Sequence, residues 1–96
     1  MRKLFKFELD YGRMGFVDGL FIAEETDVQN AMGKEVYFGE ILGKYSEVYC
    51  ELDSSNVRAI SDDQEKIEWI RSLVGFDTIS GYNPLEYIYK EESEDE

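Results

Sequence analysis

An α+β fold is predicted for this 96-residue chain: a mostly antiparallel sheet in ββαβββα order, with one main helix packed on its apolar face. Three features predict it. Short segments alternate apolar and polar residues with period two, as half-buried strands do. Some links between them are too short for a crossover and therefore require antiparallel neighbours. One longer stretch, starting near Asp62, carries apolar residues at helical spacing and needs a sheet to cover them.

Leu4 to Leu9 opens the order, with Phe5, Phe7 and Leu9 on one side and Lys6 and Glu8 on the other. Asp10-Tyr11-Gly12-Arg13 supplies turn chemistry, and Met14 to Ala23 forms the return strand of a hairpin. Gly15 and Gly19 within that strand mark a bulge or a close backbone approach. Thr26 is placed to cap a short helix from Asp27 to Met32, whose acidic start suits the helix dipole and whose Gly33 end permits a left-handed stop.

Glu35 to Leu42 and Ser46 to Leu52 follow as strands joined through Gly43-Lys44-Tyr45. In the second of these, Val48, Cys50 and Leu52 face one way while Glu47, Tyr49 and Glu51 face the other. Asp53-Ser54-Ser55-Asn56 is a turn, and Val57 to Ile60 a further short strand. Ser61 with Gln64 has the spacing of a capping box before a helix from Asp62 to Val74. Its apolar stripe is Ile67, Ile70, Leu73 and Val74, with Trp69 at the flank and Gly75 as the stop. Ser80-Gly81-Tyr82-Asn83-Pro84 reads as a loop, with Pro84 opening one turn of helix through Leu85 and Tyr87.

Residues 1–89 suit one small domain, and residues 90–96 an acidic, disordered tail. The 43% apolar and 15% aromatic content is too high for a disordered chain overall, so a packed core is expected. A single cysteine, Cys50, allows no internal disulfide and fits a reducing, cytoplasmic setting. No stretch has the length of a membrane span or the apolar run of a signal peptide.

Charge is the strongest functional clue. The chain holds 22 acidic against 10 basic residues and no histidine, a net −12. Such a surface repels nucleic acid and anionic membranes and draws cationic partners over a Debye length of about 8 Å. The distribution is uneven: residues 18 to 53 carry a local −7, whereas the first 13 residues carry +2.

The reactive classes fare poorly. Without histidine there is no Ser-His or Cys-His nucleophile, and zinc lacks its usual ligands. Asp53 to Asp63 has neither the alternate oxygen ligands nor the glycine of a calcium loop. Gly12-Arg13-Met14-Gly15 is a hairpin turn rather than a phosphate cradle, because it leads into no helix. Glu40 and Glu47 flank a turn and could form a carboxylate pair, an arrangement that chance alone produces in so acidic a chain. No catalytic residue, metal ligand set or cofactor is therefore expected, and Cys50 is read as a small apolar core residue.

Gly39-Glu40-Ile41-Leu42-Gly43-Lys44-Tyr45-Ser46-Glu47-Val48 and Ser80-Gly81-Tyr82-Asn83-Pro84-Leu85 resemble runs in small acidic bacterial and phage-type proteins of unassigned activity. The resemblance covers about 16 residues. It implies a mobile-element origin and carries no functional residue with it.

The candidate surface is geometric. If Val48, Cys50 and Leu52 point inward, Glu47, Tyr49 and Glu51 share the outer face, with Glu35 and Tyr37 beside them, Lys44 and Tyr45 at the tip, and Glu40 and Asp53 adjoining. Same-face residues recur every ~6.6–7 Å along a strand, a pitch comparable with phosphates on one nucleic-acid strand. Tyrosines among the carboxylates supply flat contact area. The ordinary reading of such a face is the solvated side of an antiparallel sheet. The functional reading is a non-enzymatic binding protein that occupies a basic surface of a nucleic-acid-binding protein, in concrete form a phage anti-defence mimic. It predicts no direct nucleic-acid binding, no membrane, and a monomer or homodimer. An immunity-type inhibitor of a basic toxin nuclease, or a small-nucleotide binder using Arg13, are the alternatives.

Overall fold

Nine residues, Arg2–Asp10, form β1, whose Phe5, Phe7 and Leu9 are all buried, as their alternation predicts. A 3-10 turn at Gly12–Met14 returns the chain into β2, Phe16–Glu24, and the hairpin pairs Phe5 with Phe21, Phe7 with Gly19 and Leu9 with Val17. The computed structural model describes residues 1–42 and 47–88. It is α+β with antiparallel strand pairing.

The remaining elements are α1 (Glu25–Ala31), β3 (Glu35–Gly39), β4 (Val48–Glu51), β5 (Val57–Ser61), α2 (Gln64–Val74) and β6 (Thr78–Gly81). They build two sheets. One has four strands in the order β5-β1-β2-β6, and the other is the β3–β4 ribbon. The ribbon covers the phenylalanine face of the first sheet: Phe38 of β3 lies with its ring centroid 5.6 Å from that of Phe7. Val36, Phe38, Val48 and Leu52 join Phe5, Phe7, Leu9, Val17 and Phe21 in one buried cluster, to which α1 adds Val28 and Ala31.

The main helix packs on the sheet, as expected, but on the other side from the phenylalanines. Ile67 is buried there, and Leu4, Ile60 and Ile70 line a groove with it. Leu4 and its β2 partner Ile22 alternate with Phe5 and Phe21, so they face the opposite way. The ribbon has already occupied the larger apolar face, and the second face carries enough apolar side chains at one end to hold a helix. The molecule is thus three layers: α2, the four-stranded sheet, and the layer of α1 with the ribbon.

Several boundaries differ from expectation for local reasons. The α2 N-cap is Asp63, whose carboxylate accepts from Glu65 N–H at 3.1 Å and Lys66 N–H at 3.3 Å. Ser61 instead ends β5, and Gln64 donates to the Arg2 carbonyl at 2.6 Å, tying α2 to β1. Leu73 points outward, because at about 100° per residue it lies at the edge of the face that Ile67, Ile70 and Val74 share, about 120° around from Ile67 and on the side of exposed Trp69. The first helix starts two residues early at Glu25 and has no side-chain cap.

A sixth strand, Thr78–Gly81, stands where a loop is predicted, paired to β2. Its glycine explains the approach: Gly81 faces Gly19, and a Cβ on Gly19 would come within 1.9 Å of the Tyr82 carbonyl oxygen. The turn from Pro84 to Tyr87 forms as expected, capped by buried Asn83, which accepts from Leu85 N–H at 3.0 Å. Phe38, Tyr82 and Tyr87 close this side of the core as an aromatic trio, with ring centroids 4.7 to 5.9 Å apart.

Candidate protein-docking surface

The β3–β4 ribbon has one face that its sequence makes apolar and one that it cannot bury. Val36, Phe38 and Val48 point into the core with Leu52 following, so the pleat turns Glu35, Tyr37, Tyr49 and Glu51 outward. Pairing then sets them in rungs. Glu35 lies opposite Glu51, and Tyr37 opposite Tyr49. Cβ atoms of directly opposed residues stand ~4.5–5.5 Å apart, so the ribbon holds two carboxylates side by side.

A second acidic pair lies past the tyrosines. Gly39 pairs with Val48 across a bulge, after which Glu40 and Glu47 are both exposed. Both act on Tyr37: partial burial, a hydrogen bond to Glu47, and the charges of Glu47 and Glu40 together push its phenol above the ordinary 10.0. Glu47 is anchored through its main chain, for the Tyr11 hydroxyl donates to its carbonyl at 3.1 Å. Tyr11 was invisible as part of this surface in the sequence, 36 residues away and in a turn.

The carboxylates therefore do not form an even row at the strand pitch. Tyr49 occupies the middle position between Glu47 and Glu51, so same-face acids on β4 are two steps, ~13–14 Å, apart. The pattern is acid pair, tyrosine pair, acid pair.

Asp53 sits beyond the ribbon and is spent on its own turn. Its carboxylate accepts from the Ser55 N–H at 2.8 Å and from the Ser55 hydroxyl, and these bonds hold its pKa below the ordinary 3.8. Asn56 completes the turn and fastens it to β1 by donating to the Glu8 carbonyl at 3.2 Å. Cys50 is half-buried against the core, and burial followed by the charges of Asp53 and Glu35 pushes its thiol up. Lys44 and Tyr45, predicted at the tip, lie outside the described residues, as does the acidic tail.

The surroundings give the ribbon its charge. Ion pairs among the described residues join Met1 N to Glu24, Arg2 and Arg71 to Asp77, Lys3 to Glu25, and Lys6 to Glu8. All of them lie on β1, β2, α1 or around α2. None reaches Glu35, Glu40, Glu47, Glu51 or Asp53. Among the described residues no group of three or more acidic or cysteine side chains is arranged to hold a metal ion, and no helix is long and apolar enough to cross a membrane. Arg13, the residue of the nucleotide alternative, stands exposed on the β1–β2 turn.

Comparison with known protein families, curated proteins and solved structures finds no match to this chain.

Proposed function

We propose that this is a non-enzymatic binding protein that presses the outer face of its β3–β4 ribbon onto a basic surface of a nucleic-acid-binding protein. The observation that carries the reading is the pairing of Glu35 with Glu51, neither of which has an ion pair among the described residues. Like charges directly opposed on a ribbon oppose folding, and a cationic partner removes that opposition. Tyr49 is half exposed between the acid rungs and offers contact area at low entropic cost.

A cytoplasmic phage or mobile-element anti-defence protein, such as an anti-CRISPR or anti-restriction factor, is the concrete form of this function. Neutralising a basic toxin nuclease in the manner of an immunity protein would use the same face.

The test is capture of a partner by the purified chain from the lysate of its native host, at low and then high salt, with and without added duplex DNA. A partner that binds at low salt and is displaced both by salt and by DNA supports the reading, provided that Glu35→Lys with Glu51→Lys loses it while remaining folded. Binding that is indifferent to salt, to DNA and to the double charge reversal removes it.

A further inference from the structure

We propose that the outer face of α2 is a self-association surface, on which a second copy of this chain packs the same face across a twofold axis. Trp69, Leu73 and Phe76 are 64%, 66% and 69% exposed. Trp69 and Leu73 are one helical turn apart, and Phe76 follows the helix end. Trp69 also lines, with Leu4, Ile60, Ile67 and Ile70, a groove of about 700 Å³ beside the helix. Single exposed apolar side chains are ordinary on a monomer, but a contiguous run beside an apolar groove is the mark of an interface.

Area, charge and the rest of the chain point to a second copy as the occupant. With Trp69 and Phe76 about two-thirds exposed out of the ~150–250 Å² an aromatic side chain can bury, and with Leu73 and the part-exposed Ile60 of the groove beside them, this face offers roughly 500 Å² of apolar surface. Two copies then bury about 1,000 Å² before any polar rim is added, the size at which a specific interface begins. The residues from Lys90 to Glu96 contain no apolar side chain, so they have nothing to lay on Trp69 and Leu73.

The acidic ribbon lies on the opposite layer of the molecule, which keeps the two largest fields apart when α2 meets α2. Pairing at the free edge of β4 would instead set the two ribbons' carboxylates side by side. An antiparallel crossing of the two helices opposes their dipoles favourably. The dimer would display its two acidic ribbons outward.

Sedimentation of the full chain over a concentration series tests this. The expected result is a mass that doubles with concentration, more readily at high salt, because salt screens the repulsion of two net −12 chains. Trp69 is the chain's sole tryptophan, so its emission should shift to the blue over the same series. Trp69→Asp with Leu73→Asp should raise the dissociation constant ~100-fold or more with unchanged circular dichroism, and Phe76→Asp, beyond the helix, should weaken it without burdening α2. Glu35→Lys with Glu51→Lys should leave the dimer intact. A chain that stays monomeric at high salt with unshifted emission, a dimer that survives the α2 substitutions, or one abolished by the ribbon substitutions overturns the proposal.

Discussion

Tyr37 is the residue on which the ribbon's chemistry converges, because its phenol lies against Glu47 and within the field of Glu40. The folded chain keeps that proton to higher pH than the unfolded chain does. Its contribution to stability is therefore complete below the ordinary value of 10.0 and is lost as pH rises through the elevated folded value. Ultraviolet titration should show a late-ionising tyrosine that disappears in Tyr37→Phe and moves earlier in Glu47→Gln; an unchanged profile in both would place the phenol elsewhere. Asp53 has the opposite sign. Its depressed folded pKa adds stability above the ordinary 3.8, and that stability is lost as pH falls through the folded value. Asp53→Ala should flatten the acid limb of the stability profile and lower the urea midpoint at neutral pH.

Elements differ in how their ends are held. The capping carboxylate of α2 belongs to Asp63, so Asp63→Ala should cost about 1 kcal/mol in chemical denaturation, and Ser61→Ala clearly less. The ribbon carries its cost openly: Glu35→Lys should stabilise the isolated chain by a few tenths of a kcal/mol, since it turns an opposed like pair into an opposite one. A loss of stability in that variant would mean that the two carboxylates do not repel. At the β2–β6 crossing Gly19→Ala should cost about 3 kcal/mol or more, because the added methyl meets backbone rather than a side chain that can rotate away.

For the whole molecule, charge and packing act in different layers. Phe7 is fully buried between β1 and the ribbon, so Phe7→Ala should cost about 3–5 kcal/mol and loosen the ribbon from the sheet. Its signature is a fall in both stability and partner binding, whereas charge reversal on the ribbon should separate the two. Added salt should raise the thermal midpoint by screening self-repulsion and at the same time weaken capture of a basic partner. Opposite responses to one variable distinguish a functional acidic face from a merely soluble one.

The strand faces were legible in the sequence because alternation is a local property: Phe5, Phe7 and Leu9 had to share a side, and so did Glu47, Tyr49 and Glu51. Gly75 as the stop of α2 and Pro84 at the head of the last turn were legible for the same reason, each residue type favouring one backbone conformation. What sequence pattern could not supply was the meeting of distant segments. The choice of sheet face for α2 depended on the ribbon having covered the other one. The strand at Thr78–Gly81 exists because β2 offers a glycine to receive it, and Tyr11 joins the acidic surface only through the fold. Composition and alternation settled which residues would be outward and acidic; tertiary packing alone decided which of them would stand opposite one another outside any ion pair among the described residues, because pair distances are set by register and layer order rather than by neighbours along the chain.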